Sequence, residues 1–328
     1  MSELLFALND RATLEAKQTT AQLMWAAHRR GLRVWAADAD AWGRTPDGVE
    51  VGAVDVPAST PDLEAMVTAI ATGTPQRRLT RRLDAVWVRT NPGRATHDHA
   101  PLLQLLHQVE DEGVVVRSRP GGLQRSASKL YLGSLPVETV PRTFVCTDAA
   151  RMREALAELG GSGVVKPALG TRGEGVQRLE LGQPDLDDRL AEAEANGAHL
   201  VQAMAPEADL GDVRVHVVDG ELLERDGAAA VIARRPGPGE WRSNVALGGR
   251  PTRAVASPRI RQVVALVGPV LRAHGLWHAG LDLVGGLVVE CNVFSPGGLQ
   301  DAGHFAGVDF HEALLDRFLD GLSPAAAD

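Results

Sequence analysis

Three oxygen-bearing side chains near the C-terminus have a spacing that suits a metal ion. Asp282 precedes the pair Gly285-Gly286, and Glu290 and Asn292 follow it within apolar sequence. A glycine pair between apolar segments predicts a hairpin, in which Glu290 and Asn292 share a face because they are two residues apart. Asp282 is then expected near Glu290 across the ladder. Carboxylate and amide oxygens suit Mg²⁺ shared with a substrate phosphate, whereas the alternative is a solvated hairpin face with ordinary polar residues.

Lysine is rare in this chain, and two of its lysines stand in sequences that suit phosphate binding. Of 34 basic residues, three are lysines: Lys17, Lys129 and Lys166. Lys166 is followed by the run GTRGEGV, whose glycines are Gly170, Gly173 and Gly175. Glycines let backbone N–H groups approach phosphate oxygens, and a lysine adds a compact charge. The alternatives are a plain β-turn for the glycine run and a surface position for Lys129. The run matches neither a P-loop nor a dinucleotide-binding motif.

Several arginines surround a segment that is rich in glycine and proline. Arg214 lies in the apolar segment VRVHV, and Arg234, Arg242 and Arg250 bracket the segment 235–250. Arginine binds carboxylates and phosphates through pairs of hydrogen bonds. A loop of this kind is typical of a lid that closes over an anionic intermediate. The alternative is that these arginines are ordinary charged residues on a solvent-exposed loop.

Composition and charge exclude several classes of function. The chain has 328 residues with a net charge of −8, which indicates a globular protein of two or three lobes that does not bind nucleic acid. The N-terminal sequence MSELLFALND lacks the features of a signal peptide, and no apolar run is long enough to span a membrane. Two cysteines are too few for a disulfide framework, so we expect a cytoplasmic protein.

The first part of the chain predicts an α/β unit. A strand at 4–8, a helix at 19–30 and a strand from Leu32 form a βαβ motif, which implies a parallel sheet. A further buried strand, 83–89, ends at Arg89 in a polar loop. Ligands of open α/β sheets bind at such carboxyl ends of strands.

Composition also predicts where the lobes divide. Pro120, Gly121 and Gly122 resemble a linker, so we place lobes at 1–120, 121–203 and 204–328. The second lobe is expected to be a small α+β unit with the glycine run between two strands. In the third, turns at Asp219-Gly220 and Gly285-Gly286 predict two hairpins, and helices are expected at 258–274 and 310–319.

The order of these segments resembles the bacterial glutathione synthetase family of ATP-grasp ligases over nearly the whole chain. In the first part, KQTTAQLMWAAHRRGLRV, VWVRTNP, RSRPGGLQRSASKLYL and VVKPALGTRGEGV are similar to family segments. The specific part of the likeness is the order and spacing of three later segments: GDVRVHVVDGEL, ARRPGPGEWRSNVALGGR and GLDLVGGLVVECNVFSP.

The resemblance implies an ATP-grasp fold of three lobes, with an N-terminal Rossmann-like parallel-sheet lobe and ATP between the other two. The implied ATP-binding residues are Lys129, Lys166, Gly170, Gly173, Gly175, Gln202, Ala203 and Met204. The implied ligands of two Mg²⁺ ions, for which Mn²⁺ is an alternative, are Asp282, Glu290 and Asn292. The residues implied to act on the acyl phosphate are Arg214, Arg234, Arg242 and Asn244. The residues implied to bind substrate are Arg89, Arg214, Asn244 and Ser295.

The resemblance implies a carboxylate–amine ligase whose reaction passes through an acyl phosphate. It also implies a homo-oligomer, either a dimer or a tetramer. Its expected substrates are γ-glutamylcysteine and glycine. The chain departs from the family pattern near the expected amine site, where Phe294 replaces a threonine and Gln300 and Asp301 replace an arginine-glutamate pair. The alternatives are therefore a sibling ligase that joins another carboxylate and amine, and a non-catalytic ATP-binding protein on the same fold. The resemblance assigns no role to Lys17.

Overall fold

The computed structural model describes residues 2–94, 98–170, 173–244 and 247–322. The strands of its first sheet are β1 (Glu3–Leu8), β2 (Arg33–Thr45), β3 (Gly48–Asp55), β4 (Gln76–Leu79), β5 (Ala85–Val88) and β6 (Val115–Arg117). The helices beside it are α1 (Thr19–Arg29), α2 (Leu63–Thr72) and α3 (Ala100–Asp111). The strand order is β4-β3-β2-β1-β5-β6, so β1 and β5 are neighbours within the sheet.

The parallel part of this sheet confirms the predicted βαβ start. β1 pairs in parallel with β2 and with β5, and β5 pairs in parallel with β6. The strands are apolar on both faces because helices cover both sides, and the residues of β1 from Leu4 to Leu8 are all buried. The carboxyl ends of β1 and β5 therefore meet at one edge of the sheet.

The other part of the sheet is antiparallel, which the sequence interpretation missed. β2 continues to Thr45 and returns as β3, and β4 pairs with β3. Polar residues such as Asp38 and Asp40 interrupt the apolar run of β2, so its second half did not read as a strand. The signal that could have found it is Pro46-Asp47-Gly48, a turn sequence between two extended segments.

The predicted linker after β6 is instead a short helix, α4 (Pro120–Arg125). It begins with a proline, which fits the first turn of a helix. The segment contacts the C-terminal part of the chain, because the Arg119 N–H donates to the Gly275 carbonyl at 2.9 Å. The Tyr131 hydroxyl is likewise 2.9 Å from Nδ1 of His274.

The central sheet is small and antiparallel, as expected for an α+β unit. Its strands are β7 (Thr143–Cys146), β8 (Ser162–Pro167), β9 (Gln177–Glu180) and β10 (His199–Gln202), in the order β7-β10-β8-β9. Its helices are α5 (Ala149–Glu158) and α6 (Leu186–Ala195). Asp148 caps α5 by accepting the N–H of Arg151 at 2.8 Å. Met152, Leu156 and Val165 belong to a separate buried cluster between sheet and helices.

The third sheet contains both predicted hairpins. Its strands are β11 (Asp212–Val218), β12 (Glu221–Leu222), β15 (Val231–Arg235), β16 (Arg250–Arg253), β17 (His278–Val284) and β18 (Leu287–Asn292). Its main order is β16-β15-β11-β17-β18, and β13 (Glu224–Arg225) and β14 (Ala228–Ala229) form a separate ribbon. The helices are α7 (Pro258–Ala273), α8 (Leu299–Ala306) and α9 (Phe310–Asp320). The sequence interpretation missed α8, which follows a glycine pair and is only eight residues long.

The last helix ties the C-terminal part of the chain to the first sheet. Phe318 of α9 stacks on Trp87 of β5 with ring centroids 4.5 Å apart, and Trp277 packs edge-on against both rings. These large side chains bury a continuous apolar contact between the two lobes. Among the described residues, no helix combines the length and apolar character needed to cross a membrane.

Candidate active site

A cavity of about 1320 Å³ lies where the lobes meet, and it brings together residues predicted from distant parts of the chain. The predicted site residues that line it are Arg89, Lys129, Gly170, Arg214, Arg234, Asn244, Glu290, Asn292 and Ser295. The predicted residues that do not line it are Lys166, Gly173, Gly175, Gln202, Ala203, Met204, Arg242 and Asp282. The second group stands behind the cavity wall or in the loops around it.

The C-terminal hairpin places its three polar residues together, as predicted. Asp282 pairs with Glu290 across β17 and β18, and Gly280 pairs with Asn292. A regular hairpin that turns at Gly285-Gly286 would pair Asp282 with Val289. A bulge between Asp282 and Leu283 shifts the register by one residue and brings Asp282 opposite Glu290.

Asp282 lies beneath the cavity and is held by two arginines. It is 1% exposed, and its Oδ1 accepts Nε of Arg214 at 2.7 Å. Its Oδ2 accepts Nη2 of Arg214 at 2.8 Å and lies 2.8 Å from Nη2 of Arg234. Burial would raise the pKa of Asp282, but the two guanidinium groups outweigh it and hold the pKa below its ordinary value. Asp282 is therefore an ionised carboxylate with both oxygens engaged.

Glu290 and Asn292 reach the cavity itself. Burial, together with the nearby Asp282 charge, raises the pKa of Glu290. Nδ2 of Asn292 donates to Asp282 Oδ2 at 3.2 Å. No group of three or more His, Cys, Asp or Glu side chains in the described part of the chain is arranged to hold a metal. The donors that fit Mg²⁺ are thus one carboxylate and one amide oxygen, which suits an ion shared with phosphates.

The two predicted phosphate lysines lie on either side of the glycine run. Nζ of Lys166 donates to Oε1 of Gln202 at 2.9 Å and to the Val289 carbonyl at 2.8 Å. Lys166 is 5% exposed, and burial lowers its pKa to about 8. Nζ of Lys129 donates to the Gly170 carbonyl at 2.7 Å, and burial lowers the pKa of Lys129 as well. Within the described residues, both amines donate hydrogen bonds only to neutral oxygens, and so retain charge that an anion could neutralise.

The residues predicted to lie beside adenine, 202–204, are buried or half-buried. The Gln202 side chain is buried between Lys166 and the Thr143 hydroxyl, to which its Nε2 donates at 2.8 Å. Ala203 and Met204 follow the end of β10 and are half-buried. Gln202 thus positions Lys166, and the assignment of 202–204 to adenine stays a prediction.

The arginine-bearing loop contacts the glycine run. Nη2 of Arg242 donates to Glu240 at 2.7 Å, and its Nη1 donates to the Gly173 carbonyl at 3.0 Å. Gly173 has a φ of +81°, and a Cβ at this position would lie 2.6 Å from Oδ1 of Asn244. The loop and the glycine run therefore touch at Gly173. Residues 171, 172, 245 and 246, which belong to these two predicted segments, lie outside the described residues.

Arg89 lies at the opposite end of the cavity. It follows β5 directly, and its N–H donates to the Ala7 carbonyl at the end of β1, 2.8 Å away. Its side chain donates from Nε to the Thr20 hydroxyl at 3.1 Å and from Nη2 to the Pro296 carbonyl at 3.2 Å. Burial lowers the pKa of Arg89 to about 9, so the guanidinium remains charged at neutral pH.

Sequence reasoning missed a buried carboxylate that organises the arginines. Asp212 pairs with Arg234 across β11 and β15, and its Oδ1 accepts Nε of Arg234 at 2.8 Å. Its position two residues before Arg214 places both on one face of β11, which is a signal that could have found it. Thr20, Cys291 and Asp301 also line the cavity and were not predicted as site residues.

Two family models together match most of this chain. The family model for the prokaryotic glutathione synthetase N-terminal domain matches residues 3–124, and the one for the prokaryotic glutathione synthetase ATP-grasp domain matches residues 128–306. The glutathione synthetase of Parasynechococcus marenigrum is 34% identical over 97% of this chain and 98% of its own length. That of Prochlorococcus marinus is 31% identical over 97% of this chain and 99% of its own length.

Solved structures show the same fold. The D-cycloserine synthetase DcsG has a TM-score of 0.62 at 20% identity, covering 96% of this chain and 99% of that one. The ATP-grasp ligase PsnB has a TM-score of 0.64 at 17% identity, covering 98% of this chain and 99% of that one. The family models and the two relatives show that the chain belongs to the prokaryotic glutathione synthetase family and is an ATP-dependent, amide-forming ligase, and the solved structures show its ATP-grasp fold.

Proposed function

We propose that this protein is a glutathione synthetase, which joins the carboxylate of γ-glutamylcysteine to glycine and converts ATP to ADP and phosphate. One observation carries the proposal: a single cavity is lined by Lys129, by Arg214 and Arg234, and by Glu290 and Asn292. These side chains supply positive charge for phosphates and oxygen donors for a divalent metal, which are the two requirements of carboxylate phosphorylation.

The reaction begins with the approach of two anions. The substrate carboxylate attacks the γ-phosphorus of ATP, ADP leaves, and an acyl phosphate remains. The positive charges of Arg214 and Lys129 offset the repulsion between carboxylate and triphosphate. The amine nitrogen then attacks the acyl carbon, phosphate leaves, and the amide forms with loss of a proton from nitrogen.

A divalent metal fits the donors beside the phosphates. Glu290 and Asn292 would hold it, and Asp282 could join them by giving up an arginine contact. We propose that two Mg²⁺ ions bind here, with Mn²⁺ as the alternative metal. When bound, it would neutralise charge on the phosphates. Meanwhile Asp212 and Asp282 keep Arg234 directed at the cavity, because both carboxylates bind its guanidinium.

The remaining nucleotide contacts are assigned by position. Lys166 and the glycines Gly170, Gly173 and Gly175 would meet the phosphates, and residues 202–204 would lie beside adenine. Arg242 and Asn244 would close over the acyl phosphate and exclude water, which otherwise hydrolyses it. Ser295 would contact substrate.

We divide the chain into lobes at 1–120, 121–203 and 204–328, and we propose a cytoplasmic homo-oligomer, a dimer or a tetramer.

A sibling ligase with another carboxylate and amine is the second candidate. Phe294 and Gln300, two of the positions that depart from the family pattern, both line the cavity, and so does Asp301. Replacing a threonine by phenylalanine and an arginine by glutamine changes the shape and charge available to an amine substrate. These positions favour testing a wider set of amines.

The proposal is tested by phosphate release from Mg-ATP with γ-glutamylcysteine and glycine, together and singly, with mass detection of the product. We expect release that requires both substrates and a product with the mass of glutathione. A folded, ATP-binding protein that releases no phosphate with this pair would contradict the proposal. A panel of carboxylates and amines would then identify the substrates of a sibling ligase.

A further inference from the structure

Helix α8 turns one polar face towards the cavity. Leu299 and Ala302 are buried in the apolar cluster on its other side. Gln300, Asp301 and His304 line the cavity instead. Residues three apart share a face of a helix, so Asp301 and His304 lie on the same side of α8. Packing of Leu299 and Ala302 therefore fixes which side chains α8 presents to the cavity.

The start of α8 is held beside Arg214. Nη1 of Arg214 donates to the Gly297 carbonyl at 3.3 Å. The next residue, Gly298, is the N-cap of α8, and a Cβ at this position would lie 3.7 Å from Cδ of Arg214. Asp301 follows three residues later, about 5 Å further along the helix. The proposed reaction places the substrate carboxylate at Arg214, so Asp301 lies close to the point where the acyl phosphate forms.

The Asp301 carboxylate has no hydrogen-bond or ion-pair partner among the described residues. The residue is half-buried. Burial raises the pKa of Asp301, and the charge of the nearby His304 opposes this. Strands β15 and β16 and helix α9 pack against α8, and Arg234 is the one charged residue in the described parts of these elements that lines the cavity. A half-buried carboxylate without a partner favours a cationic ligand.

Asp301 also differs in charge from most of the cavity. The cationic residues that line the cavity are Lys17, Arg89, Lys129, Arg214 and Arg234. The acidic residues in the described lining are Glu290, which is assigned to the metal, and Asp301. ATP, the reacting carboxylate and the acyl phosphate are anions, which Asp301 repels. The acceptor amine arrives as a cation, because aliphatic amines are protonated at neutral pH.

Two ammonium groups compete for this position. γ-Glutamylcysteine carries one at the end remote from its reacting carboxylate, and the acceptor brings the other to the reacting carbon. The contact between the start of α8 and Arg214 favours the acceptor. An ammonium nitrogen has no free electron pair, so it must lose a proton before it attacks. A positioned carboxylate that accepts this proton accelerates such a step.

We propose that Asp301 is a catalytic residue, which binds the ammonium group of the acceptor and takes a proton from it. The freed electron pair of nitrogen forms the bond to the acyl carbon, and the carbon–oxygen bond to phosphate breaks. The second surplus proton of nitrogen passes to the departing phosphate, and Asp301 releases its proton to solvent. The inference rests on the proposed function only in requiring that an amine attacks an acyl phosphate. It applies to glycine and to the acceptor of a sibling ligase alike.

The test compares three acceptors, with γ-glutamylcysteine as the donor. Glycine carries an ammonium group at neutral pH. Hydroxylamine is uncharged and has no carboxylate, whereas aminooxyacetate has an uncharged amino group and keeps a carboxylate. Each acceptor captures the acyl phosphate with release of phosphate, and mass detection identifies the product. The set therefore separates the charge of the amine from the carboxylate of the acceptor.

Asp301→Asn keeps the size of the side chain and removes its charge. It should lower kcat/KM for glycine by about 100-fold or more, the usual contribution of a general base. The values for hydroxylamine and aminooxyacetate should stay unchanged, because their nitrogen needs no deprotonation before attack. Unchanged turnover with hydroxylamine also shows that the variant is folded. Asp301→Glu restores the carboxylate and should recover part of the activity with glycine.

Other results would overturn the inference. Unchanged kcat/KM for glycine in Asp301→Asn would exclude the catalytic role, and an equal loss with all three acceptors would place the effect on the donor, the metal or the fold. A loss with glycine and aminooxyacetate but not with hydroxylamine would mean that Asp301 acts on the acceptor carboxylate. With hydroxylamine, an increase in the donor KM would assign Asp301 to the donor, and an increase in the Mg²⁺ concentration for half-maximal rate would assign it to the metal.

Asp188→Asn is the matched control. Asp188 also lies in the first turn of a helix, α6, but it is exposed and does not line the cavity. Its replacement should leave the constants of all three acceptors unchanged. A loss with glycine in Asp188→Asn as large as that in Asp301→Asn would contradict the role of Asp301.

Failure of the proposed function gives a different result from failure of this inference. If γ-glutamylcysteine and glycine yield no product, hydroxylamine with a panel of carboxylates identifies the donor, and a panel of amines then identifies the acceptor. A loss in Asp301→Asn with a cationic acceptor but not with hydroxylamine would support the inference although the protein is not a glutathione synthetase. Normal turnover of the cationic acceptor in this variant, or no capture by hydroxylamine with any carboxylate, would overturn it.

Discussion

Arg214 and Asp282 face each other across two antiparallel strands and form a two-pronged ion pair, with N–O distances of 2.7 and 2.8 Å. Arg234, on the neighbouring strand β15, binds the same carboxylate and is also paired with Asp212 of β11. Two buried carboxylates thus hold two arginines whose side chains line the cavity. The positive wall of the site is therefore fixed before any substrate arrives.

The first prediction concerns the stability that depends on Asp282. Asp282→Asn removes the charge and leaves Arg214 and Arg234 buried with one carboxylate between them. We expect the free energy of unfolding to fall by about 3–5 kcal/mol, as when one partner of a buried pair is removed. Urea unfolding measures it. Asp188→Asn, on an exposed position of α6, is the control and should cost less than about 1 kcal/mol.

The same variant makes a pH prediction. The pKa of Asp282 is lower in the folded protein than in the unfolded chain, where it is about 3.9. The stabilisation is therefore fully present above about pH 4 and is lost as the pH falls further. The stability difference between wild type and Asp282→Asn should be constant from pH 5 to 7 and should narrow in acid. A difference that widened in acid would contradict the ion-pair assignment.

The second prediction concerns Glu290 as a metal-binding residue. Glu290→Gln keeps the size of the side chain but removes the charge that a divalent ion requires. We expect turnover to fall by at least about 100-fold, with an increase in the Mg²⁺ concentration needed for half-maximal rate and with folding unchanged. Rates over a range of free Mg²⁺ measure this. Glu192→Gln, exposed on α6, is the matched control, and a Glu290→Gln enzyme with normal turnover would refute the assignment.

The third prediction is a pH dependence of ATP affinity that originates in Lys166. Its pKa is lowered to about 8 by burial, so without ATP this amine loses its proton as the pH rises through 8. The phosphates favour the protonated form, so ATP affinity should fall by up to about tenfold per pH unit above 8. Lys129, whose pKa is also lowered, adds to the effect in the same direction.

Titration calorimetry between pH 7 and 9.5 checks this dependence. Lys166→Arg keeps a charge that does not titrate in this range, so its ATP affinity should change less with pH than that of the wild type. Lys166→Met should bind ATP more weakly at pH 7, also with a smaller slope. An equal slope in the wild type and both variants would exclude Lys166 as its source.

The fourth prediction concerns the contact between Arg242 and Gly173. Arg242→Ala removes the hydrogen bond that joins the arginine-bearing loop to the glycine run. With the loops uncoupled, water should reach the acyl phosphate more often, so that a larger fraction of phosphate is released without product. Comparing phosphate with product measures this ratio. Arg253→Ala, an exposed arginine at the end of β16, should leave the ratio unchanged, and an equal ratio in Arg242→Ala would disprove the lid function.

Local sequence pattern was sufficient for the two hairpins and for the face that Glu290 and Asn292 share on the second of them. Asp219-Gly220 and Gly285-Gly286 adopt the positive φ angles that tight turns require. Glu290 and Asn292 share a face because strand side chains alternate, whatever surrounds them. The rarity of lysine likewise singled out Lys129 and Lys166. These features depend on neighbouring residues or on the composition of the chain, so they could be predicted from the sequence.

The pairing of Asp282 with Glu290 was not determined by the turn. A two-residue turn places Asp282 opposite Val289, and a bulge at Asp282 moves it to Glu290. Arg214 binds Asp282 from the adjacent strand, and this register depends on how β11 packs against β17. Local propensity carries no information on such contacts, because the partners are 68 residues apart.

The sequence by itself determined the family, the order of lobes and most of the residue types that phosphate and metal chemistry need. Only the tertiary structure decided which of them meet. It placed Arg89, at the end of β5, beside the start of α1, and it gave this arginine no acidic partner among the described residues, whereas Arg214 and Arg234 share two. The reason is physical: charge balance in a buried site depends on strand order and register, which are set by packing of the whole chain.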